Sequence, residues 1–322
     1  MEGVVVSTAF VTGAYGMVGS WLVKALLARG DEVVVLRRDE DQRSALIIEG
    51  TEARCVVVHG DLNDPGVVER AIGEYGADTV FHLAAQTIVG TANRSPVSTF
   101  EANIRGTWTL LEACRLHGVA RTVVAASDKA YGPTDSLPYT EEHPLAARYP
   151  YDVSKACTDL IARSYWHTYE LPVATTRFAN IYGGGEPNPS RLNPEAVAAV
   201  LEGRPPVIRS DGSPQRDFLY VEDAVAAYLA IAEALGGRDG VGGEAFNAGG
   251  DEPHSVLEVV ELLCRVSGSD VAPDVRGRGT PHGEIDRQFV DSTKLRERTG
   301  WRSQVPLDEG LRRTVEWYRA HP

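Results

Sequence analysis

Three glycines in one short segment place the strongest constraint on how this chain folds. The segment Gly13-Ala14-Tyr15-Gly16-Met17-Val18-Gly19 follows the apolar run 9–11 and precedes the apolar run 21–27. A strand, a glycine-rich turn and a helix in this order bind a dinucleotide pyrophosphate at the helix N-terminus. The sequence therefore predicts a dinucleotide site formed by Gly13, Tyr15, Gly16, Met17, Val18 and Gly19.

Apolar strand-like segments alternate with helical patterns through the first half of the chain. These segments are 9–12, 33–36, 55–58, 79–83, 122–125 and 173–177. Strands that are apolar on both faces are typical of parallel sheets covered by helices. The pattern predicts a doubly wound α/β fold of the Rossmann type.

The regular alternation ends after residue 180. Loops rich in glycine and proline follow, and a strand-helix pattern returns at 218–234. Because 322 residues are many for one core, we expect a second, smaller unit. The predicted division is a dinucleotide-binding domain of 1–180 and 217–250, and a sugar-nucleotide-binding lobe of 181–216 and 251–322.

Three polar residues indicate the oxidation of an alcohol. Tyr151 and Lys155 are four residues apart, so they share one face of a predicted helix. An ammonium beside a phenol favours the phenolate, which makes Tyr151 a general base for a hydroxyl. Ser127 can hold the same substrate oxygen, and a bound dinucleotide can accept the hydride. The sequence therefore predicts the reversible oxidation of a carbinol.

The composition argues against several other classes of protein. A net charge of -13 is unfavourable for binding nucleic acid, which requires clustered Lys and Arg. The four cysteines are widely spaced and indicate reduced thiols rather than a metal site. The sequence contains neither an apolar run of membrane-spanning length nor a signal-peptide pattern, so we expect a cytoplasmic protein without membrane contact.

Further motifs resemble the extended short-chain dehydrogenase/reductases, in the NAD-dependent epimerase/dehydratase family that acts on nucleotide sugars. They are Gly60-Asp61-Leu62, His82-Leu83-Ala84-Ala85-Gln86, Arg177-Phe178-Ala179-Asn180, the run from Arg216 to Asp223, and Asp291-Ser292-Thr293-Lys294. The resemblance covers nearly the whole chain. It implies further cofactor contacts from Asp61, Leu62, Leu83, Ala84, Ala85, Gln86, Tyr151 and Lys155.

The segment Ser127-Asp128-Lys129 indicates the branch of this family. Epimerases of the family usually carry small or neutral residues after the serine or threonine, whereas 4,6-dehydratases carry an acid and a second ionisable group. The segment most resembles that of CDP-glucose 4,6-dehydratases. The resemblance implies oxidation at C4 of a nucleotide hexose, loss of water across C5 and C6, and hydride return to C6.

The resemblance also implies roles for individual side chains. Asp128 is the candidate acid for the C6 hydroxyl, and Lys129 either removes the C5 proton or stabilises the enolate. Substrate contacts are implied for Gln86, Ser127, Asn180, Arg191 and Arg216. Thr280-Pro281-His282 stands where many relatives have an arginine, which leaves the nucleobase open.

Three alternatives remain for the function. Asp128 and Lys129 can instead form a solvated turn, in which case an epimerase of the same substrate class is expected. A 5,6-dehydratase is a related possibility. The third alternative is a catalytically silent NAD(P)-binding regulator, against which the intact Ser127, Tyr151 and Lys155 argue.

Cofactor choice and assembly complete the predictions. Arg37 and Arg38 follow the second predicted strand and favour NADP, because two arginines can bind a 2′-phosphate, although Asp39 can instead bind the ribose. The resemblance implies a homodimer paired through predicted helices at about 97–117 and 150–169. These helices carry apolar residues on more than one face, including Trp108, Tyr165 and Trp166.

Overall fold

A parallel sheet forms the centre of this computed structural model, which describes residues 7–39, 41–189, 191–237, 240–279 and 285–322. The strands of the described residues are β1 (Thr8–Thr12), β2 (Glu32–Arg37), β3 (Val56–His59), β4 (Thr79–His82), β5 (Arg121–Ala125), β6 (Val173–Phe178), β7 (Asn180–Tyr182), β8 (Val207–Ile208), β9 (Gln215–Tyr220), β10 (Ala245–Ala248), β11 (Pro253–Ser255), β12 (Asp274–Val275) and β13 (Arg287–Gln288). The strand order of the central sheet is β10-β6-β5-β4-β1-β2-β3, and its neighbours pair in parallel.

Helices cover both faces of this sheet. They are α1 (Met17–Arg29), α2 (Ala45–Ile48), α3 (Pro65–Gly73), α4 (Val89–Arg94), α5 (Pro96–Phe100), α6 (Gly106–Leu116), α7 (Pro150–Tyr169), α8 (Leu192–Leu201), α9 (Val221–Leu235), α10 (Val256–Ser267), α11 (Thr293–Thr299) and α12 (Leu307–Ala320). A π-helical turn at Glu101–Arg105 joins α5 to α6. None of the described helices is long and apolar enough to cross a membrane.

Side chains of successive residues in β1 enter two separate cores. Ala9 and Val11 pack with Leu22 of α1 and Ile231 of α9, whereas Phe10 packs in a second core that contains residues of α3 and α6. This alternation is the direct consequence of the two-residue period of a strand buried on both faces. The predicted doubly wound α/β fold is confirmed.

The order of the strands reverses between β1 and β4, which both adjoin the start of the dinucleotide site. Val11 of β1 lies opposite Val35 of β2 on one side and Phe81 of β4 on the other. At such a switch point the loops that leave the carboxyl ends of the strands separate and open a crevice. Gly13 follows β1, and Leu83 follows β4.

A smaller mixed sheet lies beside the central sheet. Strand β9 pairs with β7 and β13 in parallel and with β11 in antiparallel orientation. Helices α8, α10 and α12 contribute apolar side chains to its core, including Val197, Val259 and Leu311. This unit carries most of the residues assigned from sequence to the lobe.

The structure differs from the predicted domain boundaries in three places. The boundary after residue 180 lies inside β7, a strand of the small sheet. The boundary at residue 217 lies inside β9, another strand of that sheet, which continues directly into α9. Leu295 of α11 and the following Trp301 belong to the core between the main sheet and α9, although residues 251–322 were assigned to the lobe. Two of these boundaries fall within single strands, where no loop marks the change, and the third difference depends on contacts between residues distant in the sequence.

Candidate active site

A single cavity of about 1060 Å³ connects the crevice of the main sheet with the lobe. Residues of the predicted dinucleotide site line one part of it, and Arg216 of β9 and Arg191 beside α8 line another. Ser127, Asp128, Lys129, Tyr151 and Lys155 also line this cavity. The fold therefore brings the predicted catalytic residues together with most of the predicted ligand contacts.

The glycine-rich turn fits a dinucleotide because its backbone leaves no space for side chains at two positions. Gly13 has a φ of +76°, and a Cβ there would lie 2.6 Å from the backbone nitrogen of Ala84. A Cβ at Gly19 would overlap the carbonyl oxygen of Gly13. The turn packs tightly against β4 and leads into the N-terminus of α1, the geometry that accepts a pyrophosphate. Ala84, Ala85, Leu83, Leu62 and Asp61 line the same part of the cavity.

The two arginines after β2 have different surroundings. Arg38 lines the cavity and forms an ion pair of 2.6 Å with Asp39. The Arg37 guanidinium instead pairs with Glu52 at 3.2 Å and stacks on the Tyr15 ring at 5.6 Å. Arg37 is therefore oriented toward the short helical turn that carries Glu52, and Arg38 is the arginine of the pair that reaches the predicted cofactor site.

Gln86, a predicted contact of cofactor and substrate, has a side chain that forms hydrogen bonds within the protein. Its amide donates to the carbonyl of Ile88 and to the Thr99 hydroxyl, both at 3.1 Å. Its backbone nitrogen donates to Asn103 at 2.7 Å. Its neighbours Ala85 and Thr87 are among the described residues that line the cavity, and Gln86 is not. Gln86 thus organises the loop after β4.

Helix α7 positions Tyr151 and Lys155 on one buried face. Proline at residue 150 occupies the first helical position, and Tyr151 and Lys155 are 8% and 4% exposed. Lys155 Nζ donates to the carbonyl of Ala125 at 2.7 Å, which ties α7 to the end of β5. Ser127 begins the helical turn that follows this strand, so its hydroxyl lies at the same end of the sheet.

The pKa of Tyr151 differs from the expectation of a phenol depressed by Lys155. Burial raises the pKa of Tyr151 to about 12, although the charge of Arg191 and a hydrogen bond with Ser127 lower it. Burial also lowers the pKa of Lys155 to about 8. The helical spacing predicted the common face correctly, but burial of the cavity, which helical spacing does not report, dominates both protonation equilibria.

Asp128 is a buried carboxyl with one oxygen left without a partner. It is 4% exposed, and its Oδ1 accepts a hydrogen bond of 3.0 Å from the Ser127 hydroxyl. Its Oδ2 has no hydrogen-bond partner among the described residues. Burial raises the pKa of Asp128 to about 6, against the opposing charges of Lys129 and Arg216. A carboxyl in this state can hold a proton near neutral pH.

Polar groups from the lobe meet the cavity beyond Asp128. Arg216 is 8% exposed, and its guanidinium donates to the carbonyls of Gln215 and Asp286 at 2.9 and 3.0 Å. Asn180 donates to the carbonyl of Asp217 at 3.4 Å. The Arg191 guanidinium, at the start of α8, lies 3.5 Å from the Glu186 carboxylate. Two cations of this kind suit a diphosphate, whereas no group of three potential metal-binding side chains occurs among the described residues.

Several cavity-lining residues were missed by sequence reasoning. Asp152 stands within the recognised segment from Tyr151 to Lys155, yet its side chain was given no role. Arg209 and Glu195 come from loops and helices of the lobe, where no local pattern marks a site. The departure at Thr280-Pro281-His282 lies outside the described residues.

The doubly wound fold, the glycine-rich turn and the convergence of Ser127, Tyr151 and Lys155 define a dinucleotide-dependent enzyme of the short-chain dehydrogenase type. The profile of the NAD dependent epimerase/dehydratase family matches residues 9–249. The chain belongs to this family, as the sequence motifs predicted.

Curated relatives cover nearly the whole chain. The dTDP-glucose 4,6-dehydratase of Xanthomonas campestris pv. campestris is 31% identical over 97% of this chain and 93% of its own length. The UDP-glucose 4-epimerase of Mycolicibacterium smegmatis is 34% identical over 96% of this chain and 97% of its own. Both the predicted reaction class and its predicted alternative thus occur among the relatives.

Solved structures agree with this assignment. The dTDP-glucose 4,6-dehydratase DesIV from Streptomyces venezuelae, with NAD bound, superposes with a TM-score of 0.86 at 33% identity, covering 98% of this chain and 97% of that one. The UDP-glucose 4-epimerase from Thermotoga maritima, with UDP-glucose, has a TM-score of 0.88 at 29% identity, covering 97% and 99%. The comparisons confirm the predicted family and fold, and they support NAD(P) as the cofactor and a nucleotide-sugar dehydratase as the class of enzyme.

Proposed function

We propose that this protein is a nucleotide-sugar 4,6-dehydratase, which converts a nucleoside-diphosphate hexose into the 4-keto-6-deoxy sugar. The observation that carries the proposal is Asp128. Its buried, partly unpartnered carboxyl lies beside Ser127 in a cavity that also contains Tyr151. Elimination of the C6 hydroxyl requires an acid of this kind, whereas inversion at C4 does not.

The first chemical step is oxidation at C4 of the sugar. As the phenolate, which the charge of Arg191 favours against burial, Tyr151 would take the proton of the C4 hydroxyl. Ser127 would turn its hydroxyl from Asp128 to donate a hydrogen bond to the same oxygen. The nicotinamide, when bound, supplies a positively charged ring that accepts the C4 hydride and later returns it to C6. Residues Gly13 to Gly19 and Arg38 would hold the dinucleotide, and Lys155 would contact its ribose.

The second step is loss of water across C5 and C6. The C4 ketone makes the C5 hydrogen acidic, so a base can remove it while Asp128 protonates the departing hydroxyl. Lys129 lies beside Asp128 and was predicted either to remove this proton or to stabilise the enolate. Arg216, Asn180 and Arg191 would bind the diphosphate and keep the sugar oriented during both steps.

The nucleobase and the cofactor preference stay predictions. The named relatives act on dTDP- and UDP-sugars, whereas the residues after Ser127 resemble those of CDP-glucose 4,6-dehydratases. The preference for NADP now depends on Arg38 rather than on Arg37, because Arg37 is paired with Glu52. The cytoplasmic location also stays a prediction.

An epimerase is the second candidate, since the Mycolicibacterium smegmatis UDP-glucose 4-epimerase is 34% identical to the chain. The two functions are separated by supplying CDP-, dTDP-, UDP- and GDP-glucose in heavy water and analysing the products by mass spectrometry. The product of a dehydratase has lost one water relative to the substrate and carries one solvent deuterium at C5. A product of unchanged mass without deuterium would establish the epimerase and refute the dehydratase.

We further propose that the protein is a homodimer that pairs through α5, α6 and α7. Val97, Trp108 and Leu160 are 71%, 47% and 56% exposed on these helices. Large apolar residues exposed on neighbouring helices are characteristic of subunit interfaces. Trp166, which the sequence also suggested, packs instead against Gly242 and Gly243 of its own chain.

A further inference from the structure

Asp152 is a buried carboxylate of the cavity to which the steps above give no role. It follows Tyr151 in the first turn of α7, is 4% exposed and lines the cavity. An acidic residue can stabilise a helix N-terminus while it is exposed at the surface. Stabilisation of α7 therefore does not explain why Asp152 is buried in the cavity.

The neighbours of Asp152 locate it on the substrate side of the cavity. Asp152 lines the cavity together with Asp128, Lys129 and Arg216, the proposed diphosphate ligand. Asp152 and Asp128 therefore face the same cavity, which extends to the sugar-nucleotide lobe.

The two carboxyls differ in their local contacts. Asp128 accepts a hydrogen bond from Ser127 through one oxygen, its other oxygen has no partner among the described residues, and burial raises its pKa to about 6. Burial raises the pKa of Asp152 as well, and the charge of Lys129 opposes the rise at both carboxyls. Two carboxyls in one cavity can serve as acid and base when one holds a proton and the other is ionised.

The side chain of Lys129 contacts a residue of the lobe. Its Nζ donates to the Oε1 of Gln288 at 3.4 Å, and both Asp128 and Asp152 lie within electrostatic reach of it. Gln288 is fully buried in β13 and can hold the ammonium in place. An ammonium has three donors and no lone pair to accept a proton.

We propose that Asp152 is the base that removes the C5 proton, and that Lys129 is the cation that stabilises the resulting enolate. This inference rests on the proposed dehydratase function. The C5–H bond breaks, its proton forms an O–H bond on Asp152, and the electron pair forms the enolate of the C4 ketone. The enolate then expels the C6 hydroxyl, which takes the proton of Asp128 and leaves as water.

The test compares Asp152→Asn with Asp128→Asn and Lys129→Gln in heavy water, using the four nucleoside-diphosphate glucoses named above. Asp152→Asn should still reduce the nicotinamide in a single turnover, while deuterium incorporation at C5 falls by at least about 100-fold. Asp128→Asn should retain C5 exchange and lose dehydration. Lys129→Gln should slow C5 exchange without abolishing it, and Asp152→Glu should restore part of the exchange.

Normal C5 exchange in Asp152→Asn would overturn the proposal, and so would complete loss of exchange in Lys129→Gln alone. Thermal unfolding and titration with a nucleoside diphosphate show whether each variant is folded. If Asp152→Asn does not fold, Asp152→Glu decides, because retained exchange supports the carboxylate base and lost exchange contradicts it. A wild-type protein that reduces no nicotinamide with any of the four sugars would refute the proposed function and this inference with it.

Discussion

The Nζ of Lys155 donates a hydrogen bond of 2.7 Å to the backbone carbonyl of Ala125. This bond joins the helix that carries Tyr151 to the strand end that leads into Ser127. Lys155, itself one of the proposed catalytic residues, therefore fixes the position of the Tyr151 phenol relative to the Ser127 hydroxyl. A change at Lys155 is expected to disturb geometry as well as charge.

Replacing Tyr151 with phenylalanine should leave the fold intact and lower turnover by at least about 100-fold, because the proton acceptor for the C4 hydroxyl is lost. The measurement is the rate of nicotinamide reduction in a single turnover, with circular dichroism as the control for folding. Turnover close to that of the wild type would remove Tyr151 from the mechanism.

The rate of water loss should fall as the pH rises above about 6, since burial raises the pKa of Asp128 to about 6. The acid form is present below this pKa, and its population decreases about tenfold for each further pH unit. Quenched-flow mass spectrometry between pH 5.5 and 8.5, at saturating substrate, measures this step. A rate that stays constant over this range would exclude Asp128 as the acid.

Asp128→Asn should stabilise the protein at pH 8 more than at pH 4. The folded-state pKa of Asp128 is raised from 3.8 to about 6, so its favourable contribution is complete below pH 4 and is lost as the pH rises through 6. The shift corresponds to roughly 3 kcal/mol. Urea unfolding of both proteins at the two pH values gives the difference. An equal effect at both would show that Asp128 is not buried as described.

Arg38→Ala should weaken NADP binding far more than NAD binding if the predicted preference for NADP is correct, because Arg38 lines the cavity. Arg37→Ala is a matched control, since Arg37 pairs with Glu52. Calorimetric titration with both dinucleotides gives the four affinities. Equal weakening of NAD and NADP in Arg38→Ala would contradict the preference.

A double substitution, Val97→Glu and Leu160→Glu, should convert a dimer into monomers, because both side chains are more than half exposed on the proposed interface. Light scattering at micromolar concentration measures the mass. Val275→Glu, on the exposed edge of the lobe and 44% exposed, is the control that should leave the mass unchanged. A wild-type mass equal to one chain would refute the dimer.

The parts of the site that could be predicted from the sequence are those determined by neighbours in the chain. The glycine-rich turn and the common face of Tyr151 and Lys155 depend on spacing alone, so local patterns reported them. The partner of Arg37 could not be predicted, because Glu52 belongs to a separate helical turn. The contact between Lys129 and Gln288 spans 159 residues of sequence and has no local signal.

The packing of Leu295 and Trp301 against α9 limits how far the chain can be shortened and determines when its core can form during synthesis. A fragment that ends near residue 250 would contain every strand of the main sheet but would expose the apolar surface that these two side chains cover. Each uncovered large side chain costs about 1.5–3 kcal/mol. The cofactor-binding half therefore cannot complete its core during synthesis until residue 301 has left the ribosome.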